Sequence, residues 1–178
     1  MKALYGTLIG VVALLAVASL AVADDKHSAC TSWDKQINKP GRFKALSDFG
    51  GAAVLDRETC LVWEQSPGTT LGKKSWGSAQ VTCNNMAVGG RKGWRLPRVQ
   101  ELLSLIDPNN PTGDPDLPPA HPFSNVQYEY YWSATARTDD GIPWGVLLDG
   151  GAISATVFDP GDGLWIWCVR GGQAADSQ

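Results

Sequence analysis

Four cysteines, Cys30, Cys60, Cys83 and Cys168, constrain this chain more than any other feature, because crosslinks between such distant positions admit only folds that bring them together. Whether they crosslink depends on the compartment, and the N-terminus speaks to that. Lys2 supplies a short basic segment. An apolar run extends from about Leu8 to Val22, interrupted only by Gly10 and Ser19, and closes with Ala21-Val22-Ala23 before Asp24-Asp25. This is the layout of a cleavable export signal, with cleavage after Ala23. The run is also shorter than the roughly 20 apolar residues that a bilayer span needs. No cysteine sits at the cleavage site to take a lipid anchor, and no later stretch is apolar for long enough to span a membrane. The expectation is therefore a signal over residues 1–23 and an exported chain, periplasmic or extracellular. In that setting an even cysteine count reads as two disulfides. No CxxC or Cys/His spacing suggests zinc, and the only histidines are His27 and His121. Spacing does not choose among the three possible pairings.

About 155 residues remain after the signal, which suits one domain. The chain carries 15 Lys and Arg against 18 Asp and Glu, a formal charge of −3, and losing Lys2 takes it one unit lower. That balance argues against a nucleic-acid partner, which needs a basic surface.

Residues 24–52 read as a polar, irregular N-terminal arm with a turn at Pro40-Gly41, its basic stretch from Asp34 to Lys44 solvated. Ala53 to Asp56 and Cys60 to Glu64 are short strand-like runs that make a hairpin. Trp76, Ala79, Cys83 and Met86 recur at helical spacing after Ser75, a candidate N-cap, and Gly89-Gly90 stops that helix. Gly93-Trp94-Arg95-Leu96-Pro97 is extended. Val99, Leu102, Leu103 and Ile106 form the stripe of a second helix from Arg98 to Asp107, ended by Pro108. Asn109 to about Ser124 is a long loop rich in Pro, Asn and Asp. The remaining apolar runs are strands: Tyr130 to Thr135, Trp144 to Leu148, Ala152 to Val157 and Trp165 to Arg170. Residues 173–178 form a flexible tail. The pattern is α+β, with both helices early and most of the sheet late.

Particular words in this order resemble a known family. They are Leu61-Val62-Trp63-Glu64, Trp76 with Ala79 and Cys83, and Gly93-Trp94-Arg95-Leu96-Pro97 with Glu101-Leu102-Leu103. Tyr131-Trp132-Ser133-Ala134-Thr135, Trp144 with Val146, and Cys168-Val169-Arg170-Gly171 complete the set. The series resembles the bacterial Lcl C-terminal domain family, a domain of unknown function typified by the terminal domain of a collagen-like adhesin. The likeness covers about residues 53–172. More distantly, the series is similar to the C-type-lectin and formylglycine-generating-enzyme fold group. The resemblance implies a C-type-lectin-like domain, with two helices packed on a twisted, mainly antiparallel sheet and long irregular loops. It also implies the pairing Cys83–Cys168, and hence Cys30–Cys60. The collagen-like stalk of the name-giving adhesin has no counterpart here.

Trp63, Trp76, Trp94 and Trp132 read as core aromatics within the family words. Leu96, Pro97 and Ser133 belong to the same structural set. Arg95, Glu101 and Arg170 are charges inside apolar words, expected to form a buried ion pair or to clamp backbone. There is no Gly-x-Ser-x-Gly elbow, HExxH or phosphate loop. Formylglycine-type oxidation needs reactive cysteines late in the chain, whereas Cys168 has an assigned partner, so an enzyme is not expected. The expectation is a binding module for a surface carbohydrate or surface protein, the alternative being an envelope interaction protein. Its candidate ligand residues are Asn109, Asn110, Asn125, Asp139, Asp140, Trp144, Asp159, Asp162 and Trp165, amides, carboxylates and aromatic faces of the kind that bind sugars. No metal ligands or cofactor are assigned. Calcium would need several converging oxygens, which acidic turns alone do not establish.

Overall fold

The computed structural model describes residues 41–68, 72–107, 109–110, 117–148 and 154–171. In chain order these form β1 (Phe43–Ala45), a 3-10 turn (Ser47–Phe49), β2 (Ala53–Asp56), β3 (Leu61–Glu64), α1 (Trp76–Asn85), β4 (Trp94–Arg95) and α2 (Val99–Leu103). Then come β5 (Tyr130–Ala136), β6 (Pro143–Leu147), β7 (Ser154–Val157) and β8 (Val169–Gly171). The strands make two antiparallel sheets, one ordered β1-β2-β3-β8-β4 and one ordered β5-β6-β7. The domain is α+β with two helices, as its sequence pattern implies. The expected signal over residues 1–23 and the tail at 173–178 lie outside the described residues. No helix among the described residues is long and apolar enough to cross a membrane.

Alternation along the strands explains the layering. Successive side chains of a strand point to opposite faces. Val54, Leu61, Trp63, Trp167 and Val169 join one core with Leu102, Leu105, Tyr131 and Val146. Ala53 and Cys168 join the other with Ala79, Cys83, Trp94, Trp132 and Ile166. The larger sheet therefore lies between two apolar layers, with α1 on one side and α2 on the other. The Cys83–Cys168 disulfide, with Cα atoms 5.5 Å apart, ties α1 to the segment that enters β8. Closing a loop of 85 residues contributes about 4–5 kcal/mol in the chain-entropy account. Cys60 is also disulfide-bonded, and Cys30, its expected partner, lies outside the described residues.

Four readings of the sequence differ from the structure. Residues 41–52, expected as part of a solvated arm, supply edge strand β1 and the buried Arg42. Arg42 donates to both Asp56 oxygens, Nε to Oδ1 at 3.0 Å and Nη2 to Oδ2 at 2.8 Å, and also donates to the Ser104 carbonyl at 2.7 Å. A basic tract reads as solvated until an acceptor pair is known to face it. The second helix is shorter than Arg98 to Asp107. It ends at Leu103, and Leu105 and Ile106 continue the buried stripe in a tightened turn with amide bonds to Leu102 and Leu103. The first helix stops at Asn85, ahead of Gly89-Gly90. Those glycines, with φ of +58° and +72°, form the two-residue turn between the bridged Val88 and Arg91. Finally, the run from Trp165 to Arg170 is not one strand. Trp165 bridges to Tyr131 of the smaller sheet, and only Val169–Gly171 pairs in the larger one, so this segment passes from one sheet to the other.

Asp56 also accepts from the Glu58 amide at 3.0 Å and the Thr59 hydroxyl at 2.9 Å, so it holds both the hairpin turn and Arg42. Asp56→Ala removes the bidentate partner of a buried guanidinium, leaving it Glu58 at 3.6 Å as counter-charge, and should cost about 3 kcal/mol in urea unfolding. Of the four fully buried tryptophans among the described residues, Trp94, Trp132 and Trp167 donate their indole N–H to the carbonyls of Arg91, Lys74 and Glu64, whereas Trp63 Nε1 has no acceptor. Trp63→Phe should therefore destabilise less than Trp167→Phe, by about 1 kcal/mol in the same assay.

Candidate functional site

The candidate ligand residues fall into separate groups. At the tip of the β5–β6 hairpin, Arg137 Nε donates to Asp140 Oδ1 at 3.0 Å and Nη2 pairs with Oδ2, while Asp139 lies 3.5 Å from Arg137 Nε. The Arg137 hydrogen bond, more than any other factor, holds the Asp140 carboxyl below its ordinary pKa. The Asp159–Asp162 turn spends its carboxylates locally as well. Asp159 Oδ1 accepts from the Gly161 amide, and Asp162 Oδ2 from the Asp159 amide. Asn110 donates to the Leu117 carbonyl, the Asn109 amide donates to Asp107, and Asn125 reaches Ser66 across to the end of β3. These groups shape turns and are not gathered around one ligand position. Among the described residues no set of three or more His, Cys, Asp or Glu side chains is placed to hold a metal ion. Trp144 packs partly buried against the first core.

The half-buried Trp165 has more interesting company. The Lys73 ammonium lies 5.8 Å from its ring centroid and pairs with Glu129 at 2.5 Å. Both charged groups stay exposed, at 42% and 54%. The Lys73 hydrogen bond lowers the Glu129 pKa, and the Trp165 indole adds to the pull without closing a hydrogen bond of good geometry. The elements converge there because Lys74 and Leu164 bridge through backbone bonds and the Trp165 amide donates to the Tyr130 carbonyl. Sequence reading found Trp165 and missed Lys73 and Glu129, which lie in unrelated segments and meet only through that bridge.

The family words do structural work. Arg95 grips Glu101 with two bonds of 2.8 and 2.7 Å and donates to the Gly171 carbonyl, joining β4, α2 and β8. Glu101 also accepts from the Arg98 amide, covering the start of α2. Arg170 Nε donates to the Lys92 carbonyl. Trp76 donates to the Ser133 carbonyl. Leu96 and Ser133 are buried, and the Pro97 carbonyl accepts from Ala134.

One further feature lies in the word Leu61-Val62-Trp63-Glu64, whose last residue was not singled out from the sequence. Glu64 is only 8% exposed, and its Oε2 has no hydrogen-bond partner. It lines a cavity of about 420 Å³ with Ala52, Gln65, Ser66, Met86, Ala87 and Val88. Burial pushes its pKa up to about 7, the Cys168 backbone pulling less strongly the other way. Nothing in the local sequence marks this. A glutamate at a strand end reads as exposed until the segment after α1 is known to cover it.

Fold and site together define a small disulfide-tied α+β domain with a surface aromatic flanked by charges of both signs and a separate acid-lined cavity. The chain belongs to the Lcl C-terminal domain family, whose pattern it matches over residues 52–170. No curated protein matches it.

The raised Glu64 pKa sets a pH dependence. Between about pH 4.5 and 7 the unfolded chain loses this proton before the folded one does. The folded state then binds more protons, and stability falls as pH rises. The contribution is complete below the unfolded value and lost above about 7. His121, whose pKa burial lowers, acts with the opposite sign: its contribution is lost as pH falls. The comparison that isolates Glu64 is wild type against Glu64→Gln. The stability difference between them should change by roughly 3 kcal/mol across that window in urea titrations at stepped pH.

Proposed function

We propose that this chain is an exported, non-catalytic binding module that recognises surface carbohydrate in an adhesion-type role, through the face built by Trp165, Lys73 and Glu129. The observation that carries the reading is the pairing of an indole ring with an exposed carboxylate and ammonium. A ring face takes the apolar side of a sugar, and charged groups bond its hydroxyls more strongly than neutral ones do. Membership of a family typified by an adhesin's terminal domain supports this role. So does the disulfide from the first helix to the last strand segment, the pairing implied by a C-type-lectin-like fold. Disulfides at Cys83–Cys168 and at Cys60 are compatible with an oxidising compartment and hence with export. They also speak against formylglycine-type oxidation, since a sulfur in a disulfide is no thiolate. The reading involves no cofactor and no cation. Exposed Tyr128, next to Glu129, favours a protein partner as the second reading.

The test is a glycan array with the mature protein, run in calcium and in chelator. Saturable binding to one sugar class, unchanged by chelator, is expected. Lys73→Ala and Glu129→Gln should each weaken it at least about tenfold while changing stability by less than about 1 kcal/mol, because the pair is exposed. A blank array with capture of a surface protein would transfer the role to the second reading.

A further inference from the structure

An ammonium carries three donors and a carboxylate two acceptor oxygens. Among the described residues, Lys73 Nζ makes one hydrogen bond, to Glu129 Oε2 at 2.5 Å, and Glu129 Oε1 accepts none of good geometry. Both side chains are exposed. The pair beside Trp165 thus presents unused donors next to an unused acceptor, while its two charges are closed on each other.

The surroundings keep that balance. The Lys73 hydrogen bond is the largest cause holding the Glu129 carboxyl below its ordinary pKa, so the carboxylate stays ionised in mildly acidic solution. Residues 160–164 run beside residues 74–76, because the Trp76 amide donates to the Pro160 carbonyl and Lys74 and Leu164 exchange backbone bonds. The charges this brings are again of both signs, Lys74 on one segment and Asp159 and Asp162 on the turn at the head of the other. The two aspartates accept from amides of their own turn and remain anionic neighbours of the site.

Such a surface treats ligands unequally. A uronate or a sulfated sugar must take the ammonium from Glu129 or lie against a carboxylate of like charge. An amino sugar must take the carboxylate from Lys73. Hydroxyl groups do neither, since one accepts from the ammonium and another donates to the carboxylate without parting them. An exposed ion pair is held weakly, so the discrimination is a several-fold effect and not an absolute one.

We propose that the Trp165 surface selects uncharged sugars, with the closed Lys73–Glu129 pair as the device that disfavours anionic and cationic sugars alike. This selection rests on the carbohydrate reading of the same surface and assigns the pair a specificity-determining role within it.

The mature protein and two variants, Glu129→Gln and Lys73→Ala, are titrated by saturation-transfer NMR at about pH 6, where a sugar amine is protonated and the carboxylates are ionised. The probes are the methyl glycosides of glucose, galactose and mannose, each beside its uronate and its 2-amino form. At least one neutral glycoside should bind wild type saturably, about fivefold or more tighter than its own uronate and its own amine. Its affinity should change less than about twofold between about 50 and 500 mM NaCl, since it has no charge to screen. Each variant leaves one charge uncompensated. In Glu129→Gln the uronate should gain about fivefold or more over wild type, and in Lys73→Ala the amine should gain likewise, both gains shrinking in high salt. A uronate or amine that binds wild type as tightly as its neutral parent, or variants that gain no charged ligand, would overturn this inference and leave the carbohydrate reading standing. Absence of binding by every glycoside would remove that reading and this inference with it.

Discussion

The Cys83–Cys168 bond joins α1 to the segment that threads between the two sheets, and most of the layout follows from that tie. Trp165 bridges to Tyr131 in the smaller sheet, Trp167 and Cys168 face opposite cores, and Val169–Gly171 pairs with β3 and β4 in the larger sheet. The seven residues from Trp165 to Gly171 therefore contact both sheets and both apolar layers. Fixing Cys168 to α1 fixes which way each neighbour points, because the side-chain period of a strand leaves no intermediate choice.

Buried charge supplies the second level of order. Arg42–Asp56 pins the first strand and the β2–β3 turn to the end of α2, through the Ser104 carbonyl. Arg95–Glu101 pins β4 and the start of α2 to the end of β8. Each guanidinium spends its fork on a carboxylate and a further donor on backbone, which makes burial tolerable. Glu64 has no such partner, and its proton stays on until about neutral pH. Within one small domain, carboxylates at the end of β2, on α2 and at the end of β3 thus differ in role through what faces them. Two are held by guanidinium groups, and the third is buried with one oxygen unpartnered.

The surroundings of Trp165 and of Glu64 differ in the same way. At Trp165 the charges are exposed, close together and opposite in sign, a surface suited to a hydroxylated ligand. At Glu64 a single carboxyl is buried, with one oxygen that has no hydrogen-bond partner. The acidic turns at 139–140 and 159–162 resemble ligand sites in composition only, because their oxygens close the turns that carry them.

From the sequence by itself came the α+β class, the β2–β3 hairpin, the positions of both helices and the burial of Trp63, Trp94 and Trp132, since hydrophobic period and turn residues are local signals. The likeness to family words implied the Cys83–Cys168 pairing, which spacing left open. Tertiary structure alone decided the rest. It made Arg42 an interior group, cut α2 short and divided the run from Trp165 to Arg170 between two sheets. It also brought Lys73 and Glu129 to Trp165 and enclosed Glu64. Each of these depends on a partner distant in sequence, and neither residue type nor local period records which distant group a side chain will face once the chain has folded.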